Sequence, residues 1–170
     1  LISSAQLSDK FLIKRGCYDQ CFDISGISED FIRRCIVGGR CMTSDNIKHH
    51  IKAEIADSDA NSLYPSAMFS MNGFIKGLPK VLTQDNIENF ESFKSTIDEY
   101  YIKILVTKIG KERSFPLLSI VDDKTKVRNF TNDIVGQYFY VDRVTLEDVV
   151  EFQEIEYDIS VVRSNYHDII

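Results

Sequence analysis

The amino-acid sequence predicts an α+β fold, and three observations predict it. Helix-like and strand-like patterns interleave irregularly along the chain. The stretch after residue 100 is rich in branched and aromatic residues bounded by turn chemistry. Between the two halves, at about Gly73–Asn86, Gly73, Gly77 and Pro79 break regular structure and mark the best domain boundary. A chain of 170 residues is long enough for one ordinary domain with a real core and too short for two large ones.

Residues 1–27 mix apolar and polar positions without a clean period. Ser28-Glu29-Asp30 then reads as a helix start, a capping hydroxyl followed by acids that suit the positive end of the helix. Phe31, Ile32 and Cys35 give that helix its apolar face, and Gly38-Gly39 ends it in a turn. Ile51, Ala53 and Ile55 alternate with polar residues, the period of a strand with one buried face. That strand runs into Asp57-Ser58-Asp59-Ala60-Asn61-Ser62-Leu63-Tyr64-Pro65-Ser66. Proline is tolerated in a first helical turn, so Leu63 to about Met71 reads as a helix. Further on, Tyr101–Thr107, Leu117–Val121 and Gln137–Val141 read as strands. Thr145-Leu146-Glu147-Asp148 has the form of a capping box and predicts a helix over Leu146–Phe152. Ile155, Tyr157, Ile159 and Val161 alternate and predict a last strand.

Composition narrows the class of function. Hydrophobic residues make up 44% and charged residues 27%, a globular balance rather than a disordered one. With 26 acids against 20 bases the net charge is -6, which argues against a chain that binds nucleic acid through bulk charge alone. Contact with DNA must come from a local patch or from other protein. Lys103, Lys108, Lys111 and Arg113 are read as a solvated face or edge-strand protection before they are read as such a patch. No apolar run is long enough to span a membrane and nothing resembles a secretory signal, so the expected setting is an intracellular, reducing one with free thiols. Cys17, Cys21, Cys35 and Cys41 lie near His49 and His50, but their spacing fits no common zinc ribbon or finger and buried thiols are the expectation. The first residue is Leu1 rather than Met, which reads as a segment of something longer.

The segment with chemistry in it is Asp59–Ser66. A carboxylate at the end of a strand, followed at once by a turn into a helix, brings a rigid acid and outward backbone N–H groups into one space. Helix starts favour anions, so a divalent metal on the acid and a triphosphate on the N–H groups would meet there. Nucleotidyl transfer needs that meeting, because metals bridge the phosphates and stabilise the attacking and leaving oxygens. Taken alone, Asp59 also reads as a plain helix cap and Tyr64 as a core aromatic.

Here the residues resemble a family. Asp59-Ala60-Asn61-Ser62-Leu63-Tyr64-Pro65-Ser66 is similar to motif A of family B DNA polymerases, D-x-x-S-L-Y-P-S. Gly38-Gly39-Arg40 stands where the protein-primed subgroup has its Y-x-G-G element, with Ile36 in the place of the tyrosine. Gly77-Leu78-Pro79-Lys80 resembles the G-x-P element of viral and mobile-element members. The stretch from Tyr101 to Ile159 resembles the insertion by which protein-primed members contact a terminal protein. The resemblance implies a fragment of polymerase palm, a strand–turn–helix over residues 1–86, followed by a small β-rich insertion subdomain over residues 87–170.

It also implies roles. Asp59 would bind the catalytic Mg²⁺ ions as the catalytic carboxylate, joined by the carbonyl of Ala60. The N–H groups of Ser62, Leu63 and Tyr64 would cradle the dNTP, with the Tyr64 ring excluding a 2′-hydroxyl. Gly38, Gly39 and Arg40 would contact DNA. Partners would be a DNA template-primer, a dNTP and a terminal protein, with no membrane. No Y-x-D-T-D and no K-x-x-x-N-S-x-Y-G occurs, so half of a two-metal site is expected from this sequence. Two functions follow: a polymerase that adds deoxynucleotides to a primer or protein hydroxyl, or a non-catalytic module that docks a terminal protein or partner subunit.

Overall fold

The computed structural model describes residues 3–40, 47–71, 73 and 75–160. Within them the chain is mixed α and β, with small antiparallel sheets. Helix α1 spans Ser4–Lys14 and is held by a reciprocal cap: Ser3 Oγ accepts from the Gln6 N–H at 3.2 Å, and Gln6 Oε1 accepts from the Ser3 N–H at 3.1 Å. None of its residues is buried, so its apolar positions are under no pressure to repeat on one face, and the sequence shows no period there.

Helix α2, Ile27–Cys35, buries Phe31 and Cys35, the face expected of it. Its start differs from expectation. Gly26, at φ 69°, is the N-cap, and Ser28 falls inside the first turn with Glu29 and Asp30. Helix α3 covers Leu63–Ser70. Two short helices, α4 (Gln84–Glu88) and α5 (Phe90–Phe93), lead into the sheet region.

The main sheet has three antiparallel strands in the order β4 (Tyr138–Asp142), β1 (Tyr101–Ile109), β5 (Ile155–Ile159). Ile102, Ile104 and Val106 of β1 are fully buried on one face, in register with Val141 and Phe139 of β4 on one side. On the other side Ile104 and Val106 meet Ile159 and Tyr157 of β5. Helix α6, Arg143–Gln153, covers that face with Leu146 and Val149. The buried cluster also takes in Phe90, Tyr100, Leu118 and Ile134, with Leu82 and Ile87 packed against it. A two-stranded hairpin, β2 (Ser119–Val121) with β3 (Arg128–Phe130), stands beside the sheet.

Several expected elements shift. The helix expected from Leu146, with Thr145 as its cap, begins three residues earlier, because Asp142 Oδ1 accepts from the Thr145 N–H at 2.8 Å and makes Asp142 the N-cap. Strand β1 is central, so Lys103 and Lys108 do not protect an edge. Ile51–Ile55 joins no sheet among the described residues and forms no strand, since a strand exists only where a neighbour takes up its backbone hydrogen bonds. Val161 lies outside the described residues.

One buried polar side chain ties the loops to the core. Gln153 is fully buried. Its Oε1 accepts from the Leu117 N–H at 2.7 Å, and its Nε2 donates to Asn132 Oδ1 at 3.2 Å. Asn132 in turn accepts from the Arg113 N–H and donates to the Arg113 carbonyl. The Tyr100 hydroxyl, by contrast, is buried with no hydrogen-bond partner among the described residues. Opposite outcomes are therefore expected. Gln153→Leu strands the Leu117 N–H and should cost about 1–3 kcal/mol, whereas Tyr100→Phe removes an unpartnered hydroxyl and should be neutral or stabilising by up to about 1 kcal/mol. Urea unfolding midpoints at unchanged slope measure both.

Candidate functional site

The residues picked out by sequence fall in two segments, 38–40 and 59–66, both before the packed sheet region in the chain, and all but Arg40 are exposed. Asp59 and Ala60 are exposed and lie in chain without regular structure, just before the turn into α3. Ser62 caps α3 in the left-handed region at φ 52° and ψ 44°, and its carbonyl accepts from the Ser66 N–H at 2.9 Å. Leu63, Tyr64 and Pro65 therefore occupy the first helical turn. Backbone N–H groups of that turn have no intrahelical acceptor, and proline gives up only one of them. A carboxylate followed by a turn and a helix start is thus present in the chain, without a paired strand beneath it.

Helix α3 is unusual in what it exposes. Leu63, Tyr64, Met68 and Phe69 are all exposed, Tyr64 at 73% and Phe69 at 93%. Apolar residues lie on every side of it rather than along one stripe. A helix that is apolar on all sides is ordinarily a buried one. Nothing among the described residues encloses it.

The second segment is reached through α2. Phe31 meets Tyr140 of β4 edge to face at 5.1 Å, which anchors α2 on the open face of the sheet. Cys35 is buried beside it, its Sγ donating to the Phe31 carbonyl at 3.5 Å. Burial pushes the Cys35 thiol up to about 12, with Asp142 and Glu99 adding to the effect. Beyond this anchor the chain leaves the helix through Ile36, which is exposed, and reaches Gly38-Gly39-Arg40. Neither glycine has a positive φ, and no atom of the described residues lies within 4 Å of where a Cβ would stand on either. Backbone conformation does not require glycine at these positions, and open space surrounds them. Arg40 is half-buried, its guanidinium 4.2 Å from the centre of the Phe130 ring. Burial and the charge of Arg113 both lower its pKa.

Gly77 is different. At φ 94° it sits where L side chains are rarely found, and its N–H donates to the Gln20 carbonyl at 2.9 Å. Leu78 and Pro79 follow it along an apolar cleft of about 510 Å³ that also takes in Phe22, Ile32 and Leu82.

The cysteines correct the expectation of buried thiols. Cys17 and Cys21 are exposed and Cys35 alone of the described three is buried; Cys41 lies outside the described residues. Cys17 and Cys21 follow α1 in a largely exposed stretch of chain. No group of three or more His, Cys, Asp or Glu that could hold a metal comes together among the described residues. No described helix is long and apolar enough to cross a membrane.

These features match a known class. The model of the family described as DNA polymerase type B, organellar and viral, matches residues 19–160, a span that includes the G-G-R element, Asp59–Ser66 and all three strands of the main antiparallel sheet. The chain belongs to this family of type B DNA polymerases. No match was found among curated proteins or among solved structures.

Thiol reactivity reports on the anchor that presents Gly38-Gly39-Arg40. At pH 8 iodoacetamide should label Cys17 and Cys21 readily and Cys35 only after denaturant is added, read by peptide mass mapping. The pH dependence has a definite sign. A thiol whose folded pKa is raised binds its proton longer than the unfolded chain does, so its contribution is fully present below about 9 and is lost as pH rises towards about 12.

Proposed function

We propose that this chain supplies the motif A carboxylate and nucleotide floor of a DNA-directed DNA polymerase. One observation carries the reading: the octet Asp59–Ser66, with a helix start at Leu63, lies inside the span matched by the polymerase family. In it, Asp59 is the metal-binding catalytic carboxylate and the Ala60 carbonyl a second oxygen donor. Ser62, Leu63 and Tyr64 offer backbone N–H groups to the triphosphate of a dNTP. Gly38, Gly39 and Arg40 take the DNA backbone, and the open space around both glycines supports a close approach there.

Asp59 and Ala60 are hard oxygen donors of the kind Mg²⁺ takes, although two oxygens leave most of its coordination to phosphates, water and a second carboxylate. When bound, the ion supplies charge stabilisation for the transferring phosphoryl group. This chain's residues hold and orient: Asp59 fixes a negative charge at the head of the turn, and the free N–H groups of the first turn of α3 draw the phosphates towards it. The apolar exposure of α3 supports its being enclosed by further polymerase structure. The reading divides the chain into a palm-region segment over residues 1–86 and a β-rich part over residues 87–170, the latter facing a terminal protein whose hydroxyl primes synthesis.

Two experiments test this reading. The 170-residue chain, given Mg²⁺ and four dNTPs on a primed template, should show background extension, because one carboxylate cannot place two metals. Robust extension that Asp59→Asn abolishes would refute the half-site. In the complete polymerase, Tyr64→Val should lower the ratio of kcat/KM for dNTP over rNTP by about tenfold or more, while Asp59→Asn lowers both rates together. Equal losses for both sugars in Tyr64→Val would make Tyr64 a structural aromatic.

A further inference from the structure

The tertiary structure assembles a band of cations and aromatic rings from positions far apart in sequence. Lys103 on β1 lies over two rings of the neighbouring strand β4, 4.9 Å from the centre of Tyr138 and 5.5 Å from that of Tyr140. Arg34 on α2 lies 5.2 Å from the centre of Tyr140 and donates to its hydroxyl at 3.2 Å. A groove of about 220 Å³ runs on from there, lined by Arg34, Tyr138 and Tyr140 on one side and by Ser119 and Arg128 of the β2–β3 hairpin on the other. Phe130, two residues along β3 from Arg128, lies under Arg40, and Arg40 feels the charge of Arg113, which is itself over Phe152 at 5.3 Å.

None of these five cations is ion-paired among the described residues. That is notable in a chain with a net charge of -6, where Arg33, Lys94, Lys108 and Arg143 all find acids. The two acids whose charge reaches Cys35, the neighbour of Arg34 in sequence, accept backbone N–H groups instead. Asp142 accepts from the Thr145 N–H, and Glu99 accepts from the Tyr100 and Arg143 N–H groups. Tyr138, meanwhile, is 54% exposed. Unpaired guanidinium groups suit phosphates, and an exposed ring beside them suits an unstacked base.

We infer that this band, Lys103–Tyr138–Tyr140–Arg34–Arg128–Arg40–Arg113, binds single-stranded nucleic acid, with phosphates on the arginines and a base stacked on Tyr138. It rests on the polymerase reading only in sharing Arg40, and it adds residues from both halves of the chain to the DNA-contacting set. A duplex fits less well, because its bases are already stacked and cannot cover the tyrosine. The net negative charge of the chain keeps the affinity modest and salt-sensitive.

Anisotropy of a fluorescein-labelled dT20 strand, titrated with the 170-residue chain in the absence of Mg²⁺ and nucleotides, tests the inference. Binding should be micromolar at low salt and weaken steeply as salt rises. Arg113→Gln and Arg128→Gln should each reduce the slope of log K against log salt by about 0.7, the share of one phosphate contact on a single strand. Lys14→Gln, on α1, should leave the slope as it was. Tyr138→Ala should weaken binding about fivefold or more with little change of slope, and a dA20·dT20 duplex should bind less tightly than dT20. Circular dichroism establishes that each variant is folded. No binding at low salt, unchanged slopes in both arginine variants, or a silent Tyr138→Ala with equal duplex binding would overturn the inference. Because no nucleotide or metal is present, failure here leaves the Asp59–Tyr64 reading intact, and failure of the sugar-discrimination test leaves this one intact.

Discussion

Strand β1 is the element on which the rest of the structure depends, and the reason is its hydrogen bonding. Both edges of this strand are taken up, by β4 on one side and β5 on the other, so its backbone can leave water without stranding polar groups. That permits Ile102, Ile104 and Val106 to be completely buried. Helix α6 closes over them, and its last residue, Gln153, reaches out of the core to hold the loops at Leu117 and Asn132. The opposite face of the same strand carries Lys103 beside two tyrosines and receives α2 through Phe31. Core on one face and charged surface on the other thus come from the alternation of one strand.

The segment around Asp59 shows the same constraint by contrast. Its alternating residues Ile51, Ala53 and Ile55 have a strand's pattern, yet no strand forms, because no described neighbour offers a ladder. The turn at Ser62 and helix α3 do form, since a helix satisfies its own backbone. What is local in the motif is therefore present, and no described neighbour supplies what is non-local. Leu63, Tyr64 and Phe69 stay exposed because no described element packs over them, and each leaves apolar surface in water.

Glycines show how the same residue type serves different ends. Gly77 takes a left-handed φ and ties its loop to Gln20. Gly110 has no such φ but lies so close to Glu154 that a Cβ would stand 2.9 Å from the Glu154 carbonyl oxygen, where β1 passes the end of α6. Gly38 and Gly39 meet neither demand: neither has a positive φ, and no described atom stands near where a Cβ would be.

The sequence by itself determined the elements whose signals are local. Branched alternation placed β1, β4 and β5 to within a few residues, and the apolar spacing of Phe31 and Cys35 placed the buried face of α2. The octet Asp59–Ser66 pointed to the polymerase family from its residues alone, and the family match over residues 19–160 agrees. Local signals failed where packing left no trace in the pattern: α1 is exposed throughout, and Asp142 displaced Thr145 as the cap of α6 because the preceding strand ends at that residue. Only the tertiary structure decided that β1 is central, that Cys17 and Cys21 are exposed while Cys35 is buried, and that Arg40 lies near Arg113. Such contacts depend on which strands exchange hydrogen bonds and on how the elements between them fold back. That is a property of the whole chain's burial, and spacing along the sequence does not encode it.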